Sequence, residues 1–599
     1  MNGVATTPVV SPASRMVLTC GWMLSRDSHL AAGESQDGAA PLRWLRHAGR
    51  HQHFIERNPL NSFAANSEMA VWIGGYAEVS KAMQPRGAAE LVLEHYQRTN
   101  ALPIDELEGS FIIALHDARK ERVLIYRNIA GSVNLFYAIT KEGLLYSTNV
   151  AQLLKSCPES RRINQELLPL FFLYRCLPGR ETFFQGIKRV MPGDLLKFEP
   201  GMVNHDKIRT FDDFRGTVSV DRDVVGQVDD TLGAAVQSCV AAYPSSAILL
   251  SGGVDSTLLL SHWNQRVDPD HPHATYCATL DHPRTRGEFA YAKSAADYLN
   301  SKVKSVPIDR PYLDYLDAVI RDTAETPNHV QAAYFPALAE TMHEDGITTG
   351  ICGEAADGLF GVATQDAIHI ASRLRKYLPI RFVRNGLKAT CFGNRGSRWA
   401  ELLELSNHLD DVGYLFHPVN QQASFAHLES VLNCFGQKAV REAMEYRRSL
   451  ITASSLNQSQ VEWLHGANLL TSSINSASYW NTLCETRGVQ LLSPFLDSRV
   501  IRIAMSIGDD LKYQFRKPKW LLKEALSRRT TSELAYRKKL SFGQPIFEWM
   551  DKGGQLRSAV DQIDRYDFVD AATLSRAKAE PNWFLYNLLC FDRLNKAFP

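Results

Sequence analysis

Two serines, two glycines and an aspartate crowded between residues 251 and 256 are residue types that handle phosphate. In Ala247-Ile-Leu-Leu-Ser-Gly-Gly-Val-Asp-Ser-Thr-Leu-Leu-Leu260 an apolar run enters a small-residue turn and continues as a second apolar run. This reads as strand, loop and helix. Gly252 and Gly253 let the backbone approach an anion closely, and Ser251 and Ser256 offer hydroxyl donors. The helix that follows presents unpaired N–H groups at the positive end of its dipole. Asp255 would repel phosphate unless a divalent cation stood between them, so the segment predicts Mg²⁺ together with a nucleotide. The plainer alternative is an ordinary Gly-rich turn.

The loop lacks the lysine of the Walker pattern. As Ser-Gly-Gly-x-Asp-Ser it resembles the loop that holds pyrophosphate in the ATP pyrophosphatase families, which cleave between the α and β phosphates. Further clusters follow in order. Thr348-Thr-Gly-Ile-Cys-Gly-Glu-Ala-Ala-Asp-Gly-Leu-Phe-Gly361 resembles the strand-end loop GEGxDExFGG of asparagine synthetases. Leu491-Leu-Ser-Pro-Phe-Leu-Asp-Ser-Arg499, Lys519-Trp-Leu-Leu-Lys-Glu-Ala-Leu526 and Arg537-Lys-Lys-Leu-Ser-Phe-Gly-Gln-Pro545 resemble the PFLD segment, the K-x-L-L-x-x-A-L helix and the R-x-K-x-x-F-x-x-P loop. Upstream, Glu108-Gly-Ser-Phe-Ile-Ile-Ala-Leu-His-Asp117 and Arg180 to Gly193 look like that family's glutaminase domain. Nearly the whole chain therefore resembles the asparagine synthetase/β-lactam synthetase superfamily. The resemblance implies a two-domain α/β protein. Its N-terminal part is a class II glutaminase-like (Ntn-type) β-sandwich layered with helices, and its C-terminal part is a PP-loop parallel α/β sheet followed by a helical region.

Carried over by that resemblance, the backbone of Leu250, Ser251, Gly252, Gly253, Val254, Asp255 and Ser256 holds ATP and the departing pyrophosphate, with Gly353 beside it. Asp255 and Asp357 bind Mg²⁺. Ala278 lines the adenine pocket or simply packs in its strand. Lys539, with Lys538 as an adjacent alternative, stabilises the phosphates and the developing oxyanion. Glu354 stands at the motif glutamate of asparagine synthetases, where β-lactam synthetases carry tyrosine. It is read as the base that takes a proton from the attacking amine, or else as a carboxylate capping its loop.

Departures from the family pattern carry the functional expectation. Only Asn2 follows Met1, where asparagine-forming relatives present an N-terminal cysteine nucleophile; the nearest Cys-Gly is the internal Cys20-Gly21. Cleavage after Thr19 would expose Cys20, so the binding residues decide, and with those lost it reads as a buried small hydrophobe. Val71-Trp-Ile-Gly-Gly-Tyr76 stands where F-N-G-E-I-Y is usual, and Gly87-Ala-Ala-Glu-Leu91 replaces a G-D-T-E segment, so the aspartate that would hold the glutamine amine is alanine. No glutaminase activity is expected, and the nucleophile becomes an amine that a substrate brings. The neutral stretch Asn468 to Trp480 replaces a lysine-aspartate-arginine stretch, which removes the cationic clamp that free aspartate would want. Asn475, Tyr479 and Trp480 either line a wider cavity or serve helix packing. The favoured expectation is a lasso-peptide macrolactam synthetase, acting on a substrate with both carboxylate and amine, with a precursor-peptide protease or leader-binding protein as partner. The rivals are a small-molecule amide or β-lactam synthetase, an ammonia-dependent asparagine synthetase, and a scaffold that binds ATP without turnover.

These residues need two kinds of scaffold. Apolar runs such as Arg122-Val-Leu-Ile-Tyr126 and Gly143-Leu-Leu-Tyr-Ser147 between polar turns predict a β-rich domain over 20–205, after a loose extension at 1–19. Gly201 to Thr217 reads as a linker. Over 218–599, strands at Ile248–Leu250, Ala274–Leu280 and Val303–Ile308 alternate with helices such as Gly287–Asn300, which predicts parallel βαβ units with nucleotide at the carboxyl ends of the strands. From Asp366 the pattern is mostly helical. The 599 residues, 45% hydrophobic and 22% charged, suffice for two or more cores. A net charge of +1 gives no reason to expect nucleic acid or a membrane as partner. Ten cysteines without a CxxC pair suggest neither zinc nor a disulfide framework and fit a reducing cytoplasm. No basic start with an apolar core, and no bilayer-length apolar run, is present. Between Arg373 and Arg398 stand eight Lys or Arg and no acid, interleaved with Tyr377, Phe382 and Phe392 and followed by Trp399. That stretch is either a dock for an acidic partner or a solvated face.

Overall fold

The computed structural model describes residues 19–23, 31–34, 43–47, 50–54, 62–66, 68–79, 87–140, 143–199, 201–264, 274–283, 287–361, 363–391, 393–409, 425–452, 473–514, 517–537 and 544–599. The predicted extension, apart from Thr19, lies outside them. Eighteen strands are described: β1 (Thr19–Met23), β2 (Ala31–Glu34), β3 (Arg43–His47), β4 (Arg50–Phe54), β5 (Ser62–Ala65), β6 (Met69–Val79), β7 (Leu107–Asp117), β8 (Arg122–Arg127), β9 (Phe136–Thr140), β10 (Gly143–Ser147), β11 (Ile187–Arg189), β12 (Asp194–Glu199), β13 (Met202–Lys207), β14 (Ser246–Leu249), β15 (Ala274–Thr279), β16 (Lys302–Pro307), β17 (Thr349–Ile351) and β18 (Gln490–Leu492).

The N-terminal half is antiparallel. Its larger sheet runs β13-β12-β8-β7-β6-β5, a second runs β1-β10-β9-β11, and β2-β3-β4 form a small meander. Alternation along β7 shows why the larger sheet is buried on both faces. Ile112 and Ala114 point into a core shared with Tyr137, Leu144 and Tyr146 of the second sheet, while Phe111, Ile113 and Leu115 pack under Leu91, Val92 and Tyr96 of the helix Ala88–Thr99. Met202–Lys207, within the stretch read as a linker, is instead the edge strand β13, paired antiparallel to β12. Its side chains are mostly partly exposed, so its hydrophobic pattern is weak, as suits an edge. Phe211 and Phe214 then anchor a short turn in the neighbouring core.

The C-terminal half is built on a parallel sheet of order β16-β15-β14-β17-β18. From β14 the chain steps outward to β15 and β16, then returns to place β17 on the other side of β14. The connections therefore diverge between β14 and β17, and a crevice opens there at the carboxyl ends of the strands. After β17 the described chain is helical apart from β18, in agreement with the sequence pattern.

The halves share one core. Phe136, Phe171, Phe172 and Phe184 from the first pack with Tyr312, Phe584, Tyr586 and Phe591 from the second, and the Phe172 and Phe584 rings lie 5.3 Å apart. Burying each such side chain contributes about 1.5–3 kcal/mol. Polar contacts reinforce the seam. Arg127, fully buried, donates to the Ser478 hydroxyl at 2.6 Å, and the Arg502 guanidinium reaches Glu108 at 3.0 Å. Among the described residues no disulfide links cysteines, and no helix is long and apolar enough to cross a membrane.

Candidate active site

Loop 250–253 leaves β14 at the crevice and turns into the helix Val254–Trp263. Gly252 sits at φ +69°, and a Cβ there would lie 2.5 Å from the Tyr291 backbone carbon and 2.7 Å from an Arg537 guanidinium nitrogen. Only glycine fits such an approach. The Leu250 N–H is spent on the Tyr276 carbonyl of β15 at 2.8 Å, which pins the loop to the sheet. Ser251 and Ser256 brace the turn from within: the Ser251 N–H reaches the Ser256 hydroxyl at 3.2 Å, and the Gly253 N–H reaches the Ser251 hydroxyl at 3.2 Å. No side chain caps the helix at Gly253, so its first-turn N–H groups remain open to an anion.

The second loop leaves β17 beside it. At Gly353 a Cβ would come within 2.9 Å of the Asp255 Cβ, so the two loops touch through glycine. Ala355 turns left-handed at φ +73° and starts the short helix Ala356–Phe360, which carries Asp357. The Ser493 hydroxyl, at the end of β18, donates to the Glu354 carbonyl at 2.6 Å and fixes the loop from its other side.

One residue that the sequence reading quoted only inside a helix motif proves central. The Lys519 ammonium lies 2.6 Å from Asp255 Oδ2 and also pairs with Asp357 Oδ1. Its side chain is 8% exposed, and it caps the helix Trp520–Arg529 from the left-handed region at φ +56°. Burial opposes the charge, yet the two carboxylates outweigh it and hold the ammonium above its ordinary pKa. Asp255 Oδ1 stays buried with no hydrogen-bond partner. Two converging carboxylates, one with an unsatisfied oxygen, fit Mg²⁺, a cation that takes few protein ligands and completes its shell with water and phosphate oxygens. Among the described residues no cluster of three or more potential ligands offers an all-protein cage.

Glu354 is half-buried beside this pair. Desolvation raises its carboxyl pKa to about 8, the Asp357 charge adds to the rise, and the Ala355 N–H and Lys519 oppose it. Near neutrality it therefore holds its proton, and it can exchange that proton with an amine in the same range. Ala278, one residue before the end of β15, is half-buried at the carboxyl edge, pairs with Val306 of β16 and packs against the core. Arg537, the arginine of the R-x-K loop, stacks 4.5 Å over the Tyr291 ring and donates to the Tyr291 carbonyl at 3.2 Å, directly against Gly252. Lys538 and Lys539 lie outside the described residues, as do Asn468 to Ser472.

Elsewhere the predicted residues disperse. Cys20 is in β1, opposite Tyr146 of β10. Ala88 and Ala89, in the segment that replaces G-D-T-E, are buried apolar residues of the first core. Tyr76, the last residue of Val71–Tyr76, donates its hydroxyl at 2.9 Å to Asp497 of the PFLD segment, and Asp497 in turn caps the helix Ser498–Ser506 and pairs with Arg499. Asn475 and Tyr479 line a cavity between the halves, whereas Trp480 stacks on Phe335 with ring centres 4.6 Å apart. In the basic stretch Tyr377 and Phe382 are 68% and 84% exposed, but Arg384 is buried and donates to Asn407. Phe392 lies outside the described residues.

The family profile described as asparagine synthase matches residues 227–583, and that of a glutamine amidotransferase domain matches residues 75–209. The chain is 21% identical over 504 residues to asparagine synthetase [glutamine-hydrolyzing] 1 of Bacillus subtilis, covering 80% of this chain and 75% of that protein. It is 26% identical over 288 residues to amidase chyE of Penicillium rubens and 24% identical over 289 residues to amidase chry2 of Gibberella zeae. Each of those matches covers 45% of this chain and 42% of the amidase.

Proposed function

The chain belongs to the asparagine synthase family, whose members are ATP-dependent carbon–nitrogen ligases that form AMP, and from that premise we propose that it joins an activated carboxylate to an amine carried by its substrate. In this reading the carboxylate attacks the α-phosphorus of ATP, giving an acyl adenylate and pyrophosphate. An amine then displaces AMP and leaves an amide. Within this class the reading we put forward is macrolactam closure of a lasso-peptide precursor, between an Asp or Glu side chain and the N-terminal amine, in a cytoplasmic pathway with a leader-binding or protease partner.

The observation that carries the first step is the Asp255–Lys519–Asp357 cluster at the mouth of an uncapped helix. Backbone N–H groups in the first turn of the helix Val254–Trp263 receive the phosphates, and Lys519 offers a fixed positive charge as pyrophosphate departs. Mg²⁺, when bound by Asp255 and Asp357, would neutralise phosphate charge. Glu354 supports the second step, because a carboxyl group titrating near 8 can accept the proton of an attacking amine. The replacement of the glutamine-holding aspartate by buried Ala88 supports an amine source other than glutamine.

The test is to incubate the protein with ATP, Mg²⁺ and a candidate precursor peptide and to follow AMP, pyrophosphate and peptide mass. Loss of one water from the peptide in step with AMP is the expected result. Aspartate-dependent pyrophosphate release, glutamate appearing from glutamine in step with product, or ADP with orthophosphate would each overturn the reading.

A further inference from the structure

A cavity of about 50 Å³ lies on the seam between the halves, with Thr182 and Arg189 from the first half and Glu325, Asn328, Asn475 and Tyr479 from the second among its walls. That volume is enough for a few water-sized groups. Acceptors dominate the unmet groups of the walls, beside one unmet donor, Arg189 Nε, and the Tyr479 hydroxyl. Glu325 Oε2, Asn328 Oδ1 and Asn475 Oδ1 are buried acceptor atoms without a hydrogen-bond partner among the described residues. Their other atoms are committed in two of the three cases: Glu325 Oε1 accepts from Arg189 Nη2 at 2.9 Å, and Asn328 Nδ2 donates to the Ser476 hydroxyl at 3.1 Å. Arg189 is pinned in turn to the Leu177 and Gly179 carbonyls, so the acid is held across the seam by the first half. Leaving a buried acceptor unmet costs about 1–3 kcal/mol, and three in one cavity call for a ligand that supplies donors.

We propose that this cavity seats the amine end of the acceptor substrate, a primary ammonium whose three N–H donors meet the Glu325 carboxylate and the Asn328 and Asn475 carbonyl oxygens. An ammonium has three donors and no acceptor, which matches the three unmet acceptors in number. The Glu325 side chain, 12% exposed, is balanced at Oε1 by Arg189 and leaves Oε2 to meet the ammonium. Topology points the same way. Asn475 sits in the first turn of the helix Ile474–Glu485, which feeds β18 after a short loop and therefore runs antiparallel to the strands. That first turn lies on the side of the sheet where the carboxyl ends carry Asp255, Glu354 and Asp357.

This inference rests on the reading that the nucleophile is an organic amine, and its test uses neither nucleotide nor turnover. Titrating the full chain with propylammonium chloride in a calorimeter should show saturable binding in the millimolar range. Glu325→Gln and Asn475→Leu should each weaken it about tenfold or more, and tetramethylammonium, which has the charge but no N–H donor, should not bind. Asn475→Leu lies outside the Arg189 ion pair and keeps the test valid if Glu325→Gln disturbs folding. Absence of saturation, equal binding of tetramethylammonium, unchanged binding in Asn475→Leu, or equal binding of ammonium chloride would overturn the assignment. Pyrophosphate release measured separately distinguishes the two ideas. Adenylation without alkylammonium binding removes only the cavity's role, and binding without adenylation removes only the synthetase reading.

Discussion

The two halves treat their motif residues in opposite ways. In the C-terminal half the residues quoted from the sequence converge: two loops on neighbouring strands touch through Gly353, and their aspartates, Asp255 and Asp357, meet at one buried lysine. In the N-terminal half they scatter into structure. Ala88 and Ala89 pack under a sheet, Glu108 pairs with Arg502 and Ser498 across the seam, and Tyr76 is spent on Asp497. Two carboxylates and a buried ammonium gathered at strand ends are costly to desolvate and indicate chemistry. The same family positions filled by apolar or already paired groups indicate cohesion.

The sharpest test of that contrast is Lys519→Ala. It removes the cation between the aspartates and should lower pyrophosphate release about 10²–10³-fold, measured with a coupled pyrophosphate assay. If rates persist, the convergence is structural only. Next, Glu354→Gln should depress amide formation about 10²-fold while carboxylate-dependent exchange of pyrophosphate into ATP survives. In the unmutated protein the amine step should rise with pH and level off above about 8, the pKa of this carboxyl. The sign for stability is the reverse. Between the ordinary carboxyl range and about 8 the folded protein keeps a proton that the unfolded chain has released, so stability falls as pH rises through that window. Denaturation of Glu354→Gln across the same window should show a flatter slope.

Effects in the other half should be smaller and of another kind. Tyr76→Phe should cost about 1 kcal/mol in urea unfolding and leave the pyrophosphate assay unchanged, since Asp497 retains Arg499. Cys20→Ser should leave product formation with an amine substrate unchanged, as judged by mass spectrometry. A large loss there would return the first half to catalysis and cancel the contrast.

What could be read from the sequence follows from how local each signal is. The strand–loop–helix around Ser251 and the loop carrying Asp357 are short stretches whose residue order dictates their geometry, and the parallel strands fall within a residue or two of their expected ends. Lys519 was hidden because its role depends on a left-handed backbone and on partners 264 and 162 positions away in the chain, at Asp255 and Asp357. Strand β13 was hidden because Met202-Val-Asn-His-Asp-Lys207 has little apolar alternation, and only pairing with β12 makes it a strand. The cavity walls come from four separate stretches, of which the second overlaps the quoted Arg180 to Gly193 and only the last held residues weighed as cavity-lining, so no spacing rule could have assembled them.

The aromatic cluster around Phe172 and Phe584 has a consequence for anyone wishing to trim the protein. Excising the upstream half would strip a greasy wall bare, and the remaining fragment should precipitate rather than work as a minimal catalyst. Whatever chemistry that half does or does not perform, it is the other jaw of a clamp, and selection for solubility alone would be enough to keep it.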